Sequence, residues 1–332
     1  MDWPHLPSPV AACCRTLRLA GHQAHPVGGC VRDLLLGRVP GDWDITTSAP
    51  PEDTMALFQR TVPTGLSHGT VTVLLDGMAL EVTTFRREGG YSDGRHPDAV
   101  TFDASLQQDL SRRDFTINAM ALAPDGGLLD PFGGQADLAR RLIRCVGDPQ
   151  RRFSEDALRM LRAVRFAAQL GFSIEADTAA ALQSRAPLLR QVSAERIRVE
   201  MEKILLSPAP QMAALPVELG MLERFGAPAR PVDLAALPGT PATAVDRWRA
   251  LCTATGLNIT TLPLERSLRR AVLHPEYREL EQMAVTGGEL YTLGLRGREI
   301  SDARRAMLEH VRAHPHENQK DALLALIHKN RP

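Results

Sequence analysis

Apolar and polar positions follow one rhythm over the first 134 residues of this chain and another over the rest. Ser8 to Ala20 reads as an opening helix that Gly21 ends, and His25-Pro26-Val27 as the end of a short buried strand. Gly28-Gly29 then permits a tight turn into a helix beginning over Val31 to Leu36, and Asp42 to Thr46 reads as a second strand. Pro50-Pro51-Glu52 starts a short helix reaching Phe58. Thr70–Leu75 and Met78–Phe85, rich in Val, Thr and Leu, flank Asp76-Gly77 and predict a hairpin. Leu128-Leu129 running into Asp130-Pro131-Phe132-Gly133-Gly134 closes the sheet-forming part. From Gln135 the period becomes helical. Ser154-Glu155-Asp156 is expected to cap a long amphipathic helix carrying Ala157, Leu158, Leu161, Val164, Ala168 and Leu170, with Gly171 as its stop. Further helices are expected over 176–185, 194–206 and 208–220, then a Pro/Gly-rich linker over 226–242, then helices to the end.

Composition narrows the class without naming a function. The 332 residues suffice for two or more domains, and 44% hydrophobic with 23% charged residues is ordinary for a folded protein in water. No apolar run approaches a membrane span, and the first residues, with Asp2 and Pro4, lack the form of a signal peptide. Five cysteines without C-x-x-C spacing read as reduced thiols of a cytoplasmic protein. A net charge of zero argues against binding nucleic acid by bulk attraction, while leaving room for a local basic face.

The candidate chemistry concentrates in the first half. Backbone N–H groups at the start of the helix after Gly28-Gly29 would point at a ligand over the glycines, which suits phosphate. Asp42 and Asp44, one residue apart on a strand, put two carboxylates on one face. Their repulsion calls for a cation between them, and hard oxygens suit Mg²⁺. Glu81, an acid inside the second hairpin strand, is either a third metal ligand or a solvent-facing strand residue. Arg86 to Val100 is long, polar and Gly-rich, a length that usually marks a functional or disordered loop. Arg112-Arg113, flanked by acids and followed by an apolar stretch, is either a solvated patch or a grip on a triphosphate and a ribose hydroxyl.

Taken together, Gly28-Gly29-x-Val31-Arg32-Asp33, Asp42-x-Asp44, Arg112-Arg113-Asp114-Phe115-Thr116-Ile117-Asn118-Ala119-Met120, Asp130-Pro131-Phe132-Gly133-Gly134 and Glu155-Asp156-x-x-Arg159 resemble the class II tRNA nucleotidyltransferase and bacterial poly(A) polymerase family. The likeness runs from about residue 25 to 206. It implies an α+β fold: a nucleotidyltransferase palm-like head with a small mixed β-sheet, followed by an all-helical neck, body and tail. The corresponding segments are 1–134 (head), 135–225 (neck, with a nucleotide-selecting helix) and 226–332 (body and tail, binding tRNA). The resemblance further implies that Asp42 and Asp44 hold Mg²⁺, with Glu81 as a candidate third ligand. Gly28, Gly29 and Arg32 would lie against the triphosphate, and Arg112, Arg113, Asp114 and Asn118 against ribose and phosphates. The implied partners are the tRNA 3′ end, CTP and ATP, with no membrane and no DNA.

Chemistry gives the neck motif a meaning of its own. Asp156 and Arg159, three residues apart on a helix, share a face. Cytosine and adenine both present an amine beside an unprotonated ring nitrogen, so a carboxylate can accept from one and a guanidinium donate to the other. Uracil and guanine present the reverse pattern and would leave both side chains unpaired, at a cost on the order of 1–3 kcal/mol each. One Asp and one Arg could therefore choose C and A without a template. Glu155 is expected to cap and orient the helix, and Arg162 and Arg165, near the same face, to position that pair or meet phosphate. The alternating charges of Glu195 to Lys203 read as a solvated, structural face supporting the Asp156 helix.

Within the family the choices are full CCA addition, addition of CC or A alone, and poly(A) synthesis. The uninterrupted Arg86–Val100 loop leans toward a chain able to add the terminal A, and the absence of a long basic C-terminal extension leans away from poly(A) synthesis. The stretch after residue 225 is short for a full body and tail, which keeps an A-adding specialist in view. A small-molecule nucleotidyltransferase would have no use for the Asp156/Arg159 pair, and a non-catalytic RNA-binding relative none for two repelling carboxylates.

Overall fold

The computed structural model describes residues 6–89, 99–234, 243–274 and 276–329. The Gly-rich centre of the Arg86–Val100 loop and the second part of the expected Pro/Gly linker, from residue 235 to 242, lie outside them, as do residues 1–5.

The head begins with α1 (Ser8–Leu19), β1 (Ala24–Val27), α2 (Gly29–Leu35), β2 (Trp43–Thr47) and α3 (Pro51–Leu57). It continues through β3 (Thr61–Gly65), the hairpin β4 (Thr70–Leu75) and β5 (Met78–Thr84), a small arm of β6 (Arg87–Gly89) and β7 (Ala99–Thr101), α4 (Leu106–Ser111), β8 (Ala121–Leu122) and β9 (Leu128–Leu129). Seven of these strands form one sheet in the order β3-β4-β5-β2-β1-β8-β9. It is mixed: β2 runs parallel to β5, with Asp44 opposite Glu81, while β1–β2 and β4–β5 are antiparallel. Strand β3 and the β6–β7 arm carry no alternating apolar face, with Val62, Pro63 and Thr64 exposed. That is why periodicity does not find them.

The helical half starts with α5 (Gly134–Arg140), then β10 (Leu142–Ile143), α6 (Pro149–Glu155), α7 (Leu158–Leu170), β11 (Ser173–Ile174), α8 (Ala176–Arg185), α9 (Ala194–Leu205) and α10 (Ala214–Glu218). The two-residue strands β10 and β11 pair in parallel, so the neck is helical apart from this short ladder. The long helix begins at Leu158, where the sequence places it, but only Asp156 of the three expected cap residues serves it. Ser154 and Glu155 finish α6, and Asp156 breaks the chain at φ −145°, ψ 105°. The carboxylate of Asp156 then accepts the Leu158 N–H, making Asp156 itself the cap of α7.

Beyond the neck lie α11 (Ala244–Thr255), α12 (Arg266–Leu273), α13 (Glu276–Glu281), α14 (Gly287–Thr292), α15 (Arg298–Ala313) and α16 (Lys320–Lys329). One apolar core runs from Val10 to Val272, and a second joins Leu280 to Ile327. Ala227, Leu234, Trp248 and Leu251 all belong to the first core, so the packing changes between Val272 and Leu280. Arg247, almost fully buried, donates to the carbonyls of Leu205 and Ser207 at the C-terminal end of α9, where a cation is favoured. No helix of the described residues is long and apolar enough to cross a membrane, and all five cysteines are free thiols.

Candidate active site

A cleft of about 830 Å³ separates the sheet from the neck helices, within the usual size of a ligand site. Every candidate residue lines it: Gly28, Gly29, Arg32, Asp42, Asp44, Glu81, Arg112, Arg113, Asp114 and Asn118 from the head, and Asp156, Arg159, Arg162 and Arg165 from the neck.

The floor comes from β1, α2 and β2. Gly28 caps α2 at φ 81°, a backbone region costly for any residue with a Cβ. Next to it on the ladder, Val27 pairs with Asp44. Asp42 lies just before β2 and Asp44 within it, both reaching the cleft while Trp43 and Ile45 enter the core. Burial pushes the Asp44 carboxyl above the usual range; Arg113 pulls against this, and Glu81 and Asp42 add to it. A divalent cation would relieve that mutual cost, and carboxylate oxygens suit a hard one. Among the described residues no three His, Cys, Asp or Glu side chains gather into a metal cage. The chain therefore offers the close Asp pair with Glu81 beside it, a donor set that water and phosphate oxygens would complete.

The arginines are held by carboxylates. Arg32 grips Asp33 through Nε and Nη2 at 2.9 and 3.1 Å and donates from Nη1 to Asn118 Oδ1 at 2.8 Å. Asp114 accepts from the Phe115 N–H and Asn118 on one oxygen and from Arg162 Nε, at 2.7 Å, on the other. Burial opposes its charge, yet Arg162 holds its carboxyl down to about 2. Below Arg112 and Arg113 lies Asp109, wholly buried, 2.7 Å from Arg112 and 3.7 Å from Arg113. The two arginines are thus ordered by a buried acid and do not form a solvated patch.

The neck wall departs from the sequence reading in its partners. Arg159 is clamped by Glu155 at 2.7 Å and also donates to the carbonyls of Arg152 and Arg112. Glu155 holds Arg151 and Arg152 as well, so it orients Arg159 and caps nothing. Asp156, in the break between helices, is held by Arg196 of α9 at 2.7 Å. The face of α9 is accordingly not simply solvated: Glu200 is buried 3.1 Å from Arg165, and Arg196 and Lys203 line the cleft. Sequence reasoning also missed Phe166, whose ring underlies Arg32, Arg162 and Arg165 at 5.3, 5.5 and 4.4 Å. An aromatic ringed by three arginines four to six ångströms away has no signature along the chain.

Comparisons with known proteins give the chain its family. Residues 24–144 match the poly A polymerase head domain, and residues 171–225 a probable RNA and SrmB-binding site of polymerase A. The chain is 44% identical over 324 residues to the CCA-adding enzyme of Geobacillus thermodenitrificans, covering 93% of this chain and 79% of that one. It is 49% identical over 247 residues to the CCA-adding enzyme of Geobacillus stearothermophilus, covering 73% of this chain and 61% of that relative. In three dimensions it is similar to the crystal structure of the Bacillus stearothermophilus CCA-adding enzyme in complex with CTP, with a TM-score of 0.69, 32% identity and 98% of both chains covered. The fold is also that of the Thermotoga maritima CCA-adding enzyme complexed with tRNA, at a TM-score of 0.59 over 90% of this chain and 82% of that one. The chain belongs to the CCA-adding enzymes, a family of tRNA nucleotidyltransferases.

Proposed function

We propose that this protein builds the whole CCA end of tRNA in the cytoplasm, adding C, C and A from CTP and ATP without a nucleic acid template. The observation that carries the reading is that one cleft holds both the Asp42/Asp44 pair on its floor and the Asp156/Arg159 pair on its wall. A small-molecule transferase needs the first pair alone. In this reading residues 1–134 are the catalytic head, 135–225 the nucleotide-selecting neck, and 226–332 the body and tail that hold tRNA.

Asp42 and Asp44 would hold Mg²⁺, which when bound acidifies the RNA 3′-hydroxyl and neutralises charge developing on the departing pyrophosphate. Gly28, whose own N–H is held by the Met120 carbonyl at 3.1 Å, leaves the backbone bare for close approach of the triphosphate, and the N–H of Gly29 opens α2 against it, with Arg32, Arg112 and Arg113 supplying positive charge around it. Asp114, already engaged through both oxygens, acts on the ribose through Asn118 and Arg162, which it holds. Asp156 accepts from the exocyclic amine of C or A, and Arg159 donates to the adjacent ring nitrogen. Arg165, held by Glu200 against Phe166, keeps that wall in place.

The test uses three end-labelled transcripts of one tRNA, lacking CCA, ending in C, or ending in CC, each incubated with Mg²⁺ and CTP, ATP or both. Growth of all three to a single mature end is expected. Extension of only the CC-ended RNA, a stop at CC, or a long A tail would each overturn full CCA addition.

A further inference from the structure

The buried acid under the arginine pair has more partners than those two side chains. Asp109 is 0% exposed and ends the first turns of α4, a helix fixed by a capping box between Ser105 and Gln108. Its Oδ1 accepts from Arg112 Nε at 2.9 Å and Nη2 at 2.7 Å, and from the backbone N–H of Arg86 at 3.4 Å. Its Oδ2 accepts from Thr46 Oγ1 of β2 at 2.9 Å and lies 3.7 Å from Arg113 Nη2. One carboxylate thus joins the strand bearing Asp44, both nucleotide-facing arginines, and the residue from which the β6–β7 arm departs. Burial opposes its ionisation, but Arg112 and Arg113 outweigh that and keep its carboxyl below the ordinary range.

The arm is pinned at both of its ends to one turn of the head. On the β6 side the Arg86 guanidinium donates to the His68 carbonyl. On the β7 side the Phe102 ring covers Gly69, so closely that a Cβ on Gly69 would meet Phe102 Cε1 at 2.6 Å. Gly69 also has φ 74°, and its carbonyl accepts the Thr84 N–H at 2.9 Å just before Arg86. Moving the ring off Gly69 therefore shifts the arm root, and with it the Arg86 N–H that reaches Asp109.

We infer that Asp109 is a positioning residue that sets the Arg112/Arg113 pair for the nucleotide and couples that setting to the seat of the β6–β7 arm on Gly69. Asp109 touches no substrate; it acts through the two arginines and so rests on the reading that these meet the triphosphate. An isosteric amide at 109 keeps the shape and the Thr46 bond but removes the buried negative charge that both guanidiniums share, so Arg112 loses its bidentate anchor, Arg113 is left to Asp44, and nucleotide affinity falls. A larger residue at 69 leaves Asp109 intact and disturbs the same pair from the arm.

The experiment measures CTP and ATP binding in Mg²⁺ by calorimetry, tRNA binding by filter retention, and steady-state KM and kcat, on wild type, Asp109→Asn, Gly69→Val, Phe102→Leu and Arg113→Ala. Asp109→Asn is expected to weaken nucleotide binding about tenfold, raising KM for the nucleotide more than it lowers kcat, with tRNA affinity within twofold of wild type. Gly69→Val is expected to follow in the same direction by a smaller factor, and Phe102→Leu to relieve part of it when combined with Gly69→Val. Wild-type nucleotide affinity in Asp109→Asn, with Arg113→Ala weakened, would overturn the role of Asp109. An equal loss of nucleotide and tRNA binding would overturn it too, because that marks general unfolding. A Gly69→Val protein with unchanged nucleotide affinity would overturn the coupling to the arm. Unchanged affinity in Arg113→Ala would instead remove the reading that the arginines meet the nucleotide.

Discussion

Arg113 lies directly over Gly28. A Cβ at position 28 would sit 2.8 Å from Arg113 Nη1 and 3.6 Å from Asp44 Oδ2, and the backbone there has φ 81°. The glycine is needed twice, once for its conformation and once for the space in which guanidinium and carboxylate approach each other. Gly28→Ala should cost about 1 kcal/mol or more in stability. It should also lower kcat/KM about 100-fold, the scale of an ångström of misplacement at a reacting centre. Gly29 supplies an internal control. It is helical, and its nearest neighbour to an added Cβ is Arg32 Nη2 at 3.7 Å, so Gly29→Ala should fold as well as wild type. Thermal melts and CTP kinetics on the two variants test the contrast.

Arg196 grips Asp156 at 2.7 Å while the Leu158 N–H holds the other oxygen. Without Arg196 the carboxylate keeps its place in the chain but loses the contact that aims it. Arg196→Ala should therefore lose selectivity more than speed, with C and A favoured over U and G about tenfold less than in wild type, one partner's worth of discrimination. Arg196→Lys should recover part of it. Incorporation ratios from mixed nucleotides on a CC-ended tRNA measure both.

The sheet and the cleft floor were largely legible in the sequence because each rests on local chemistry. Two glycines before a helix, two acids on a strand and a Val/Thr hairpin around Asp76-Gly77 state their geometry within a few residues. The same locality explains why Ser154 and Glu155 were misread while Asp156 was not. A capping residue followed by an apolar helix is a good cap signal, and Asp156 does open α7, but Pro149 behind Asp148 starts a separate seven-residue helix that Ser154 and Glu155 finish. Partners distant in sequence had no such signal. Asp156–Arg196, Arg165–Glu200 and Arg162–Asp114 join residues 35 to 48 apart, and only the packing of α7 on α9 and on the head creates them. The charges of Glu195 to Lys203 looked solvated for this reason: their pattern along α9 cannot reveal that α7 covers one side.

The Arg162–Asp114 pair gives the fold a pH dependence with a definite sign. Asp114 titrates at about 2 in the folded chain, below its ordinary value near 3.9. A depressed folded value means the pair stabilises the fold at every pH above the unfolded value, by roughly 2 kcal/mol, and that this is lost as pH falls from about 4 toward 2. Asp114→Asn should be less stable than wild type at pH 7 and show a flatter decline between pH 4 and 2. Denaturant titrations of both proteins across that window test it. Curves that stay parallel throughout would refute the assignment.

Asp44 and Asp42 carry the opposite burden, since they repel each other and Arg113 only partly offsets the cost. Replacing one carboxylate by its amide should remove the metal site without weakening the fold. Asp44→Asn is expected to lose about 10²–10³-fold or more in nucleotidyl transfer, to keep its tRNA affinity, and to melt no lower than wild type in EDTA. Wild type should gain melting temperature on adding Mg²⁺ with CTP, and the variant should not, because only a site that binds the ion can be stabilised by it. Glu81 is settled in the same experiment. It lies opposite Asp44 on the parallel β2–β5 ladder, so its carboxylate can reach the ion directly or only add to the field. If it is a ligand, Glu81→Gln will raise the Mg²⁺ concentration for half-maximal activity about tenfold or more, and if it faces solvent that concentration will stay within twofold of wild type.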